Sequence, residues 1–102
     1  MIKPIQPCPV EQAIKIIGGK WKLLVLRSLL LNGPQRYNQL LQSVTAISQK
    51  ELTRNLRELT AAALVTRDAP ANSPYTLTKL GKALMPTFKS LLKWGTKLPA
   101  AA

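Results

Sequence analysis

The segment Ile47-Ser48-Gln49-Lys50-Glu51-Leu52-Thr53-Arg54-Asn55-Leu56-Arg57-Glu58-Leu59 carries a helix start and a two-faced helix. Ser48 can accept from the free amides of a first turn, while Glu51 reaches back to the Ser48 amide, as in a capping box. Ile47 before the cap is placed to pack on Leu52 as a hydrophobic staple. At about 100° per residue, with Leu52 at zero, Leu56 falls near 40° and Leu59 near −20°. Lys50, Thr53, Arg54 and Arg57 fall between about 100° and 200°, and Gln49 near 60°. One side is leucine; the other is cation, amide and hydroxyl. Arginine can donate two parallel hydrogen bonds to guanine, glutamine can pair with adenine, and lysine reaches guanine or a phosphate. The plain alternative is a solvated basic face.

The flanking sequence decides between them. Arg36 to Ser43 reads as a short helix with Tyr37, Leu40, Leu41 and then Val44 inward, and Thr45-Ala46-Ile47 as a turn. The capped helix runs to about Ala62. Leu64-Val65-Thr66-Arg67 then reads as a strand, residues 69–74 as a turn, and Tyr75-Thr76-Leu77 as a return strand. A short helix, a brief turn, a capped helix and a hairpin make a helix-turn-helix with a wing. The expected fold is therefore mainly α with a small β-hairpin, a winged helix-turn-helix. One domain covers 1–102, with the helix-turn-helix at 36–62 and the wing at 64–77.

On the N-terminal side, Pro4, Pro7 and Pro9 predict an extended arm over 1–9, with Pro9 able to open the first helix. Val10, Ala13, Ile14 and Ile17 form a helical stripe that Gly18-Gly19 ends. A second helix is expected over Lys20–Leu31, with Trp21, Leu24, Val25 and Ser28 on one side. Leu23, Leu26, Leu29, Leu30 and Leu31 widen its apolar surface, so it is either central to its own core or shared with a partner. Asn32-Gly33-Pro34 stops it. At the other end, 78–97 is a helical segment capped by Thr78 and carrying Leu80, Leu84, Phe88, Leu91 and Leu92. Pro86 should kink or divide it.

Composition narrows the function. In 102 residues, Lys+Arg 15 against Asp+Glu 4 gives a net charge of +11. A small, folded, strongly basic chain suits nucleic acid or an anionic membrane surface. One cysteine and no histidine exclude internal disulfides, Cys/His zinc fingers and histidine-based triads. The four acids, Glu11, Glu51, Glu58 and Asp68, leave little for paired-carboxylate or magnesium chemistry. No catalytic residue, metal site or cofactor is expected. Lys79, Lys82, Lys89, Lys93 and Lys97 with Phe88 and Trp94 could line a membrane-surface helix, but its leucines serve a core or dimer equally well. Leu23–Leu31 is interrupted by Arg27 and Ser28 and is too short to cross a bilayer. The opening MIKPIQPCPVEQ does not read as a signal peptide, so the expected setting is cytoplasmic, with no membrane partner.

The remaining polar residues sort by position. Arg36 starts a helix whose free amides favour an anion, a phosphate clamp that Gln35 and Asn38 could assist. Lys20, Arg57 and Arg67 are further phosphate candidates; the bland reading makes these cations only solubilising. Cys8 lies between prolines near Lys3 and Lys15, and is either a small buried hydrophobe or a reactive thiol on the arm.

The motifs Cys8-Pro9-Val10-Glu11, Gly18-Gly19-Lys20-Trp21, Leu24-Val25-Leu26-Arg27-Ser28-Leu29 and Gly33-Pro34-Gln35-Arg36-Tyr37-Asn38-Gln39-Leu40 come in series. They continue with Ile47-Ser48-Gln49-Lys50-Glu51-Leu52-Thr53, Leu56-Arg57-Glu58-Leu59 and Tyr75-Thr76-Leu77-Thr78-Lys79-Leu80-Gly81. Over roughly residues 8–95 the chain resembles the HxlR family of winged helix-turn-helix transcriptional regulators, akin to the MarR group. The resemblance implies a homodimer on double-stranded DNA, with Val10, Ile14, Ile17, Leu84, Phe88, Leu91 and Leu92 as dimer surface. It implies that Ser48, Gln49, Lys50, Thr53 and Arg54 sit where the family's recognition helix enters the major groove. Some members sense oxidants or electrophiles through a cysteine in the CP motif, which Cys8 matches, making it the candidate redox thiol. The sequence does not identify a small-molecule effector. The wing departs from the family's usual pattern: Asp68-Ala69-Pro70-Ala71-Asn72-Ser73-Pro74 is short and has no cation at its tip, which argues against minor-groove insertion. The resulting expectation is a sequence-specific dimeric DNA-binding regulator, not an enzyme. The alternative is a basic architectural DNA-binding protein with little sequence specificity.

Overall fold

The computed structural model describes residues 8–68, 70 and 72–100. The elements run α1 (Pro9–Ile17), α2 (Lys22–Asn32), α3 (Tyr37–Ser43), α4 (Gln49–Ala61), β1 (Val65–Arg67), β2 (Tyr75–Leu77), α5 (Lys79–Lys82) and α6 (Met85–Gly95). Residues 1–7 of the expected arm lie outside the described residues, and Pro9 is already the first residue of α1. There its fixed φ suits a helix and its missing N–H costs nothing.

The three leucines of α4 are its buried side: Leu52, Leu56 and Leu59 join Trp21, Val25, Leu26, Leu29, Leu40, Val44, Ile47, Leu64 and Val65 in one core. Each such leucine contributes about 1.5–3 kcal/mol by leaving water. Helix α2 is central to this core, because Val25, Leu26 and Leu29 are buried while Leu23, Leu24 and Leu30 are half-buried. It begins two residues later than expected, with Gly19 at φ +97 and Trp21 as its N-cap, and it ends where Gly33 takes φ +77. Helix α3 likewise starts at Tyr37, and Arg36 caps it in extended geometry.

Strands β1 and β2 pair antiparallel, with Val65 opposite Leu77, Thr66 opposite Thr76 and Arg67 opposite Tyr75. A bridge unforeseen from the sequence adds the segment before α3. The Gln35 amide donates to the Tyr75 carbonyl at 3.1 Å, and the Tyr75 amide to the Gln35 carbonyl at 2.7 Å. The hairpin is thereby tied to the start of the helix-turn-helix.

The same residue corrects an expectation. Gln35 is not a phosphate ligand: its side chain is buried, donating to the Ser28 carbonyl (2.9 Å) and Ser28 Oγ (2.8 Å) and accepting from Ser43 Oγ (3.1 Å). Ser28 and Ser43 are themselves 2.7 Å apart, closing a polar triangle between α2, α3 and the segment that joins them. Truncating one member strands the others in a dry site, so Gln35→Ala should destabilise the domain by about 1–3 kcal/mol. Thermal unfolding checks this: Tm should fall while DNA affinity of the folded protein is kept.

Pro86 divides the C-terminal segment into α5 and α6, standing in the first turn of α6. Buried Gly81 in α5 lies directly against the Leu64 carbonyl, which also accepts from the Thr78 amide at 3.0 Å. Thr78 Oγ1 caps α5 by accepting from Gly81 N at 3.0 Å and donates to the Ala63 carbonyl at 2.6 Å.

The apolar residues expected at a dimer surface divide. Val10 and Ile14 on α1 and Leu91 and Leu92 on α6 are exposed, Val10 by 66% and Leu92 by 61%. Ile17 and Leu84 instead pack against the chain's own core, and Phe88 is half-buried beside a cleft shared with Leu23 and Leu24. Among the described residues no helix is long and apolar enough to cross a membrane.

Candidate nucleic-acid interface

Helix α4 is presented by its cap. Ser48 Oγ accepts from Glu51 N at 3.1 Å and Ser48 N donates to Glu51 Oε1 at 3.2 Å, while Ile47 and Leu52 are both buried below. Outward from this base, Ser48, Gln49, Lys50, Thr53, Arg54 and Arg57 are all exposed. Asn55 is turned inward and donates to the Glu51 carbonyl at 2.7 Å. It is the polar residue of the helix that faces the interior.

Lys20 reaches this end of α4 by an indirect route. Trp21 Nε1 donates to Glu51 Oε2 at 2.6 Å, and Lys20 Nζ lies 4.5 Å from the Trp21 ring centroid. Hydrogen bonds from the Ser48 amide and hydroxyl, then from the Trp21 indole, with the Lys20 charge nearby, hold the Glu51 carboxyl below its ordinary range. A lowered carboxyl pKa stabilises the fold above the unfolded value and loses that contribution as pH falls through the folded one. Glu51→Gln should therefore flatten the loss of Tm between about pH 5 and pH 3, measured by thermal melts across that window. Lys22 points elsewhere, pairing with Glu58 at 3.3 Å.

Two open cavities lie between the helix-turn-helix and the wing. Arg36, Asn38, Arg67 and Asn72 line one of about 510 Å³. Thr53, Arg57, Thr60, Thr66, Arg67 and Tyr75 line the other, of about 640 Å³, with Asp68 at its edge. Tyr37 borders both. Arg67 is stacked over the Tyr75 ring at 4.5 Å, and the Gln35–Tyr75 bridge brings that stack beside Arg36. Three expected phosphate ligands, Arg36, Arg57 and Arg67, thus line two adjoining cavities beside α4, Arg67 being common to both, and Asn38 opens onto the first. Such a concave, cation-lined wall focuses positive potential where a phosphate backbone would run. Lys20 stands apart from it, at the capped end of α4.

One residue of the site went unread as such. Tyr37 was expected only on the inner face of α3. Its ring does pack on the core, but its hydroxyl donates to the Gln49 carbonyl at 3.0 Å and lies 2.9 Å from Thr53 Oγ1. The available signal was a tyrosine in an apolar stripe, since a buried phenol ring generally seeks a partner for its oxygen.

Cys8 precedes α1. Its carbonyl accepts from the Gln12 amide at 3.0 Å, and its thiol, on a partly buried residue, is free.

The model of the HxlR-like helix-turn-helix family matches residues 16–101 of the 102. The chain belongs to the HxlR-like helix-turn-helix family. It is 42% identical over 92 residues to the HTH-type transcriptional regulator YkvN of Bacillus subtilis (strain 168), itself uncharacterised, covering 86% of this chain and 77% of that one. Among solved structures, a protein from Porphyromonas gingivalis W83 assigned to the MarR family of transcriptional regulators superposes with a TM-score of 0.86. The two are 27% identical over 97% of this chain and all of that one. The redox regulator HypR in its oxidised form superposes with a TM-score of 0.80 at 33% identity, over 92% of this chain and all of HypR. This HxlR-like protein is a helix-turn-helix transcriptional regulator with a winged, MarR-like fold.

Proposed function

We propose that this HxlR-like regulator binds double-stranded DNA as a sequence-specific homodimer in the cytoplasm, beside the chromosome. Ser48, Gln49, Lys50, Thr53 and Arg54 contact bases, and Lys20, Arg36, Asn38, Arg57 and Arg67 hold phosphates. The observation that carries this reading is the exposed row Gln49, Lys50, Thr53 and Arg54 on a capped helix, flanked by the arginine-lined cavities. Support for the homodimer is the exposed apolar surface on α1 and α6, which a two-fold partner would cover. Sedimentation at micromolar concentration should give about 22 kDa, twice the 11.2 kDa chain. A single species at the chain mass would refute the dimer.

The alternative is an architectural protein, favoured by the net charge of +11. Selection of bound sites from random DNA separates the two. A specific regulator should prefer its selected site over bulk DNA by at least about a thousandfold, and an architectural protein should not.

Cys8 is the proposed redox-responsive thiol, supported by its free thiol on a partly buried residue and by the likeness to HypR. Diamide would take two electrons and two protons from a pair of thiols. With one cysteine per chain, the product is a bridge between subunits or a mixed disulfide with a small thiol. Operator affinity should change with diamide in the wild type and stay constant in Cys8→Ser, and non-reducing electrophoresis distinguishes the two products.

A further inference from the structure

We propose that Thr53 meets DNA through its methyl group and reads a thymine, because Tyr37 holds the Thr53 hydroxyl within the protein. This rests on the reading of α4 as the helix that enters the major groove. The argument is one of counting protons. Tyr37 Oη lies 3.0 Å from the Gln49 carbonyl oxygen and 2.9 Å from Thr53 Oγ1. A carbonyl can only accept, so the single phenol proton is directed to Gln49. At the second contact Tyr37 must then accept, and the single proton of Thr53 points at Tyr37. Guanine N7 and O6, adenine N7, thymine O4 and phosphate oxygens all require a donor, and Thr53 has none left for them.

What Thr53 still offers, on an exposed position of α4, is its Cγ2 methyl and Oγ1 lone pairs that accept only from adenine N6 or cytosine N4; of these, the methyl is the part not engaged with Tyr37. Thymine alone among the bases offers a methyl group in the major groove. Gln49 and Thr53 are neighbours four residues apart, so a single hydroxyl from α3 ties the Gln49 main-chain carbonyl to the Thr53 side chain. Tyr37 is a positioning residue in this scheme: its ring is anchored in the core, and its oxygen sets which part of Thr53 faces outward.

The test uses the full chain and a site selected from random DNA, with each thymine replaced in turn by uracil, which lacks the methyl. Thr53→Val keeps a methyl and removes the hydroxyl; Thr53→Ser does the reverse. Thr53→Val should bind the selected site within about twofold of wild type, and Thr53→Ser should lose about three- to tenfold. One uracil replacement should cost the wild type the same factor and leave Thr53→Ser unaffected. Tyr37→Phe, which frees the Thr53 proton, should alter the base preferred at that position. Loss of affinity in Thr53→Val with retention in Thr53→Ser would show that the hydroxyl is the reader and overturn the proposal. Retention in both would overturn it too, by showing that Thr53 touches no base. A wild-type protein without sequence preference would overturn the wider reading and this one with it, and that result is seen before any variant is made.

Discussion

Gly81→Ala should destabilise the domain by about 3 kcal/mol or more, out of proportion to the single methyl it adds. The new Cβ would run into the Leu64 carbonyl oxygen, a backbone atom that cannot swing aside as a side-chain tip can. That carbonyl also accepts from the Thr78 amide, and Thr78 Oγ1 ties α5 to the Ala63 carbonyl. Relieving the clash therefore means lifting α5 from the loop between α4 and β1 and breaking two or more hydrogen bonds. In a domain of this length each kcal/mol moves Tm by about 4–8 °C, so a fall of about 12–24 °C is expected. Gly95→Ala is the control, because nothing lies within 4 Å of the position its Cβ would take. It should leave Tm unchanged or slightly raised. If both variants melt together, α5 rests on Leu64 far more loosely than its hydrogen bonds imply.

Arg54→Ala and Arg36→Ala should both weaken the DNA complex, but differently. Arg54 stands on the exposed side of α4 and is proposed to donate to a base edge. Its loss should cost about 1–3 kcal/mol per half-site against the preferred sequence and relax preference at one position. Arg36 caps α3 at the mouth of the cavity it shares with Arg67. Its loss should weaken specific and bulk DNA alike and lower the salt slope by about one unit per contact. A two-fold dimer presents each contact twice, roughly doubling both effects. The measurement is titration of each variant on the selected site and on scrambled DNA at several salt concentrations. If Arg54→Ala weakens both DNAs equally while Arg36→Ala changes sequence preference, the two roles are exchanged. Small, equal effects would mean a solvated basic surface.

What could be read in the sequence was what the chain encodes within a few residues. The Ser48–Glu51 cap, the leucine spacing of α4, the Asn32-Gly33-Pro34 stop and the turn residues between β1 and β2 each depend on neighbours along the chain. They suffice for the winged helix-turn-helix. Gln35 shows where such reading ends. Nothing near it in sequence distinguishes an amide facing a phosphate from one enclosed by Ser28 and Ser43, because the partners come from other elements. The Gln35–Tyr75 bridge and the Tyr37 hydroxyl contacts were hidden for the same reason. Two turns also lack their usual signal. Ala46 and Ala63 adopt φ 70 and φ 63, a conformation that glycine enters more cheaply, so neither residue announced it.

The indole of Trp21 is hydrogen-bonded to the carboxylate that caps α4 and is 7% exposed, whereas Trp94 on α6 is 59% exposed. Replacing Trp94 with phenylalanine would leave one tryptophan in the chain, hydrogen-bonded to the first turn of α4. Its fluorescence would then act as a built-in optical gauge. A change in wavelength or yield on adding DNA or oxidant would register how that turn is seated, without an attached dye.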